Sequence, residues 1–465
     1  MTTPESRALA GGIGLVLAFT IACGGGSVGD SGHSSSARGS PSAASPSPGL
    51  AFDWPEYHQN PARTGVGPSS PEIGSPREAW RAPVDGDVYA SPLIVSGHVV
   101  VATENNTVYS LDLFSGAVVW QRHLGDPVVA STLPCGNIGP VTGITGTPAA
   151  DIPSRRLYVV AFLRGFHHVL FTLSLTDGSV IGQQIVDPPG STPSVQQERG
   201  ALAIGSGRVY IPFGGLNGDC GNYHGYVVAV PLAGGSSSYY RTPVATEAGI
   251  WSPMGPSVAV TGAIYVVTGN GSPTQTFGYS NSVVELNPDL QVRSFFAPAN
   301  WKTLDAGDTD LGSVGAALVQ SMERVLTVGK QGVAYLLRAD QLGGIGGEVT
   351  SRSVCAGAFG GTALSGTTVL VPCVDGLVAL TLTPTSIAVA WHAARPRTGS
   401  PIVSAGAVWA IEPDTATLFA LDPASGAVLF SASLGGARHF NTPAASEGYV
   451  VAPAGQQVVA YSVAS

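Results

Sequence analysis

The chain reads as an all-β propeller of eight blades, and three features of its sequence point there. A unit of four short strands, first met at 88–120, recurs with variations to the C-terminus. Tight-turn residues separate the strands: the 62 glycines and 35 prolines are spread through the repeats rather than confined to one tail. The period, roughly 40 to 60 residues with four strands each, is that of sheets that cannot bury both faces alone and so stack around an axis.

The strands follow in order. A strand over 78–82 contains Trp80. The first full unit runs through Leu93–Val95, a Ser96-Gly97 turn, Val99–Ala102, an Asn105-Asn106 turn and Val108–Leu111. It closes with Asp112-Leu-Phe-Ser-Gly116, a turn that needs positive φ at its glycine, and a fourth strand ending at Trp120. The opening of the unit recurs at Ser91-Pro92, Thr147-Pro148, Gly255-Pro256, Ser400-Pro401 and Thr442-Pro443, and more loosely at Gly200-Ala201, Gly315-Ala316 and Gly361-Thr362. Third strands are expected at 227–232, 282–287, 333–338, 377–382, 418–423 and 458–463. Trp80, Trp120, Phe295, Trp391 and Phe430 close fourth strands and are expected to pack between blades. The last repeat lacks a fourth strand, so the N-terminal strand is expected to complete it and close the ring.

Charge and cysteines narrow the setting. Only 11% of residues are charged, the net charge is −9 and no basic stripe exists, which excludes nucleic acid as an expected partner. Residues 1–22 read as an export signal, 23–50 as a Gly/Ser/Pro tether and 51–465 as the propeller. The signal resembles that of a bacterial lipoprotein, with Cys23 as the lipid-bearing residue, so the chain is expected outside the cytoplasm on a membrane anchor, with plain secretion the alternative. An even set of four cysteines beyond it favours disulfides. Cys355 and Cys373 flank one predicted hairpin and are the expected pair, with Cys135 and Cys220 the other; three pairings are open in principle.

The segments DWPEYHQNPARTGVG (53–67), SPLIVSGHVVVATENNTVYSLDLFSGAVVW (91–120) and LFALDPASGAVLF (418–430) resemble the pyrroloquinoline-quinone-type (PQQ-type) propeller repeats, over about residues 52 to 465. Two kinds of protein share them, quinoprotein alcohol dehydrogenases and cofactor-free scaffold lipoproteins of outer-membrane assembly. A non-catalytic binding or scaffold role, with a protein or small molecule on the propeller face, is the first expectation; a PQQ- and calcium-dependent dehydrogenase similar to the polyvinyl-alcohol-oxidising branch is the alternative. For the latter, the resemblance implies Asn270 and Asp219 around a calcium ion, Asp308 or Asp310 as catalytic base, and Lys330, Trp251 and Arg199 around the quinone. Cys220 stands near the slot of that family's glutamate ligand, and no CxxCH haem motif is present. Each residue also has a structural reading: Asn270 as a turn former, the aspartates as turn caps, Lys330 as the ion-pair partner of either aspartate, Arg199 as a rim residue.

Overall fold

The computed structural model describes residues 52–67 and 72–463; the expected export signal, Cys23 and the expected tether lie outside the described residues. Eight antiparallel sheets succeed one another along the chain, spanning 93–123, 149–185, 203–241, 257–297, 317–353, 363–393, 402–433 and 444–462, here blades 1 to 8. Blade 8 is completed by the strand Arg77–Pro83, which pairs antiparallel with Gln457–Ser462. The ring is thus latched by the N-terminal strand, as the missing fourth strand predicts. Blades 3 and 4 depart from the four-strand pattern. Gln196–Gln197 adds a fifth strand to blade 3, and Gly344–Ile345 runs parallel to the outermost strand of blade 4.

The core lies between blades. Leu93, Val100 and Trp120 of blade 1 cluster with Leu157, Val159 and Phe171 of blade 2, and comparable clusters join each following pair. The largest cluster runs from blade 7 through blade 8 to blade 1. Three tryptophans show how one sheet grips the next. Trp80 donates its indole N–H to the Leu113 carbonyl at 2.7 Å, Trp120 to Leu175 at 3.1 Å and Trp391 to Pro423 at 2.9 Å. Each acceptor belongs to the turn before the fourth strand of the following blade. The glycines of those turns, Gly116, Gly178 and Gly426, have φ near +70° and lie flat against the rings. A Cβ on Gly178 would come within 2.4 Å of Trp120, so only glycine fits. Phe430 packs on Tyr461 of blade 8. Phe295 differs: its ring meets Phe277 and Tyr279 of its own blade, because the long 272–282 excursion folds back over it.

The segment 52–67 is a plug that the repeat pattern did not announce. It crosses one end of the channel and pairs in turn with the innermost strands: Trp54 with Ile94, the Pro55 carbonyl with Ala150, Pro61 with Val258, Thr64 with Leu364 and Gly65 with Val403. At its centre Arg63, 1% exposed, pairs with Glu56 at 3.1 Å and donates to the carbonyls of Tyr57, Leu202 and Pro256. Both disulfides form. Cys355–Cys373 brackets the inner hairpin of blade 6. Cys135–Cys220 ties the linker between blades 1 and 2 to the loop between the second and third strands of blade 3.

Candidate functional site

Opposite the plug, loops from six blades and linkers surround a cavity of about 570 Å³. Its lining includes Arg199, Asp219, Trp251, Asn270, Asp308, Asp310 and Lys330. All seven residues singled out for cofactor, metal and base roles therefore meet in one place. Below it, Tyr57 of the plug and Arg199, His439 and Phe440 enclose a chamber of about 10 Å³, room for about one water.

Local backbone demands explain the convergence. Asp310 enters on the irregular stretch after the short helix Trp301–Ala306, and its Oδ1 accepts the Asn270 N–H at 2.5 Å. A Cβ on Gly269 would lie 2.6 Å from that oxygen, and one on Gly329 would lie 2.5 Å from the Asp310 carbonyl oxygen. The T-G-N-G and V-G-K-Q-G runs are thus what let three chain segments touch. Lys330 bridges the acids, with Nζ 2.6 Å from Asp310 Oδ2 and 2.9 Å from Asp308 Oδ1, and sits 5.8 Å from the Trp251 ring centroid. Trp251, Phe359 and Phe440 form an aromatic wall with centroids 6.3 to 6.4 Å apart.

The two aspartates are not equivalent. Asp310 is buried, and burial pushes its carboxyl up despite the Lys330 ammonium; Asp308 is exposed, in a left-handed conformation with φ +47°. Burial would pull the Lys330 ammonium down, but the Asp310 and Asp308 carboxylates outweigh it and hold it above its ordinary value. Arg199 is half-buried beside Phe440, 5.7 Å from its centroid, and donates to Asn137 and Gln197. Among the described residues it has no carboxylate within ion-pair distance, and burial lowers it to about 10. Asp219 accepts the Tyr223 hydroxyl at 2.6 Å. Among the described residues, Cys355, Cys373 and Asp375 are the set that brings three potential ligand atoms within 4.8 Å, and two of these are joined in a disulfide.

Several residues escaped the sequence reading. Glu247 accepts the Asn270 side-chain amide at 3.1 Å, and burial, then the neighbouring carboxylates of Asp219 and Asp305, raise it to about 7. Asp305 binds Gly271 N–H, Ser280 and Asn281, holding the Asn270 turn from beneath. Phe359 and Phe440 line the cavity from just before the innermost strands of blades 6 and 8. That repeat position also carries Arg199 and Trp251, so superposing the repeats would have exposed it.

Ring, blade pattern and tryptophan turns define the chain as an eight-bladed β-propeller, similar to the PQQ-type propellers. Residues 73–281 match the family model described as outer membrane protein assembly factor BamB. Among solved structures, the quinohemoprotein alcohol dehydrogenase ADHIIG of Pseudomonas putida HK5 superposes with a TM-score of 0.69 at 13% identity, over 89% of this chain and 80% of that one. The quinohemoprotein alcohol dehydrogenase of Comamonas testosteroni gives 0.65 at 15%, over 88% and 80%. BamB of Moraxella catarrhalis gives 0.57 at 11%, over 83% and 98%. At these identities the likeness carries the fold. No curated protein matches the sequence.

Proposed function

We propose that the protein is an exported PQQ-type propeller whose cavity is a quinoprotein-type alcohol dehydrogenase site. The observation that carries this reading is the constellation of Lys330 between Asp308 and Asp310, with Asn270 held on Asp310, under the Trp251 wall. Two disulfides support an oxidising compartment, and Cys23 supplies the proposed lipid anchor.

The residues fit a flat, anionic cofactor. Trp251, Phe359 and Phe440 offer faces for a ring, Arg199 a cation with no acidic partner among the described residues, and Asn270 and Asp219 hard oxygens for calcium. Bound there, PQQ with calcium would accept the two electrons and the hydrogen from the alcohol carbon. The chain's own part is acid–base and positional. Asp310 takes the hydroxyl proton, Lys330 neutralises the carboxylate pair and keeps Asp310 in place, and the aromatic wall excludes water.

The test is reconstitution of the mature protein with calcium and PQQ, followed by quinone absorbance and alcohol-dependent dye reduction. Retained absorbance with turnover is expected. Absence of both would leave the scaffold role, which two observations favour: the BamB description of the matched model, and apolar side chains exposed on outermost strands, among them Val118, Val119, Ile181, Ile185, Val428 and Leu429.

A further inference from the structure

We propose that Glu247 is a positioning residue of this site: standing behind the cavity wall, it turns the Asn270 side-chain amide so that the carbonyl oxygen faces the ligand. The inference rests on the dehydrogenase reading for its ligand, but not for its geometry.

Asn270 has four polar groups, and three are engaged. Its backbone N–H goes to Asp310, its backbone carbonyl accepts from Ala248 N–H at 2.7 Å, and its side-chain nitrogen donates to Glu247 Oε2. Among the described residues the side-chain carbonyl oxygen is left without a partner, as is the second N–H of the amide, and Asn270 lines the cavity whereas Glu247 does not. An amide whose nitrogen is tied back presents an acceptor. That corner therefore takes a cation or a hydrogen-bond donor, and the reversed amide would repel both.

The backbone of Glu247 shows what its placement costs. Its N–H donates to the Tyr223 carbonyl at 2.7 Å, its carbonyl accepts from Gly225 at 3.1 Å, and Thr246–Glu247 forms a two-residue ladder with Gly271–Ser272. It is pinned to the cavity loop of blade 3 and to the Asn270 strand of blade 4 at once. Glu247 and Ala248 both adopt left-handed φ, +73° and +54°, where glycine would be at ease. A glutamate kept in that conformation points to a task for its side chain.

Two variants separate positioning from folding. Glu247→Gly removes the side chain while relieving the backbone, and Glu247→Gln keeps an acceptor oxygen for Asn270. Without ligand, hydrogen exchange of the Asn270 side-chain amide, followed by NMR and assigned by its loss in Asn270→Asp, is expected at least about 10-fold faster in Glu247→Gly and near wild type in Glu247→Gln. Calcium-dependent PQQ affinity, read by tryptophan quenching, is expected to fall about 10- to 100-fold in Glu247→Gly, the usual effect of losing a residue that orients a ligating group, and to stay within about 3-fold in Glu247→Gln. Unchanged exchange in Glu247→Gly, or equal loss in both variants, overturns the inference. If the wild type takes no PQQ, the dehydrogenase reading falls while the exchange comparison still decides the role of Glu247.

Discussion

Replacing Arg63 by methionine tests whether the plug holds the ring. Methionine keeps most of the stem volume but removes every donor. It leaves the Glu56 carboxyl, 3% exposed, without its partner, and frees the carbonyls of Tyr57, Leu202 and Pro256. Breaking one side of a buried ion pair costs about 3–5 kcal/mol. The stranded carbonyls overlap with that figure rather than adding to it, so about 4 kcal/mol is expected near neutral pH. Burial already pushes Glu56 up to about 7 with Arg63 beside it. Without the arginine the carboxyl is protonated at pH 5, and the cost there should shrink. Urea titrations followed by tryptophan fluorescence suit the question, since Trp54 lies inside the plug and is fully buried. The double variant Glu56→Gln/Arg63→Met should be more stable than Arg63→Met alone. A loss below about 1 kcal/mol at pH 7.5, or strictly additive effects in the double variant, would refute the idea that this pair organises the channel floor.

Gly178→Ala should cost about 2–3 kcal/mol, because the new Cβ strikes Trp120, while Gly207→Ala, with the same sign of φ but nothing within 4 Å, should cost about 1; equal losses would remove the ring contact as the cause. Glu104 is raised to about 7 by burial, against the N–H of Gly143 and the Thr145 hydroxyl. The folded state thus holds a proton that the unfolded chain releases near 4.5, so this group's stabilisation is complete below that pH and is lost as pH rises through about 7. Glu104→Gln should flatten the stability profile between pH 5 and 8 by up to about 3 kcal/mol in denaturant titrations, and an unaltered profile would contradict the shift. On the proposed dehydrogenase reading, in the protein reconstituted with calcium and PQQ, Asp310→Asn should lower dye-linked turnover by about 100-fold or more and Asp308→Asn by less than about 10-fold, since Asp308 is exposed; the opposite order would move the base to Asp308.

The blades were legible because each repeats the same physical problem. Alternating apolar runs and turn glycines recur wherever a sheet must lean on the next, an aromatic closes the fourth strand in several units, and Trp80 in the first strand revealed the closure. The added strands of blades 3 and 4 were not, since Gln196–Gln197 and Gly344–Ile345 are two residues long and carry no periodicity. The candidate site was legible in part. Asn270, Asp308, Asp310 and Lys330 were found through the resemblance of 264–310 and of VGKQGVAYLL to quinoprotein segments. Glu247 was not, because its role comes from a left-handed backbone and a partner 23 residues away, neither of which the local pattern encodes. The plug was missed for the same reason: its partners are spread over the whole ring.

That spread bears on how the protein is made. Residues 52–83 leave the ribosome early, yet Tyr57 bonds Thr442, 385 positions away, and Arg81 bonds Gln457, 376 away. This earlier-made piece is the last that can settle, so slow folding through a state with an open edge strand is expected. A chain released before its C-terminal residues are synthesised would carry its keystone without an arch to receive it.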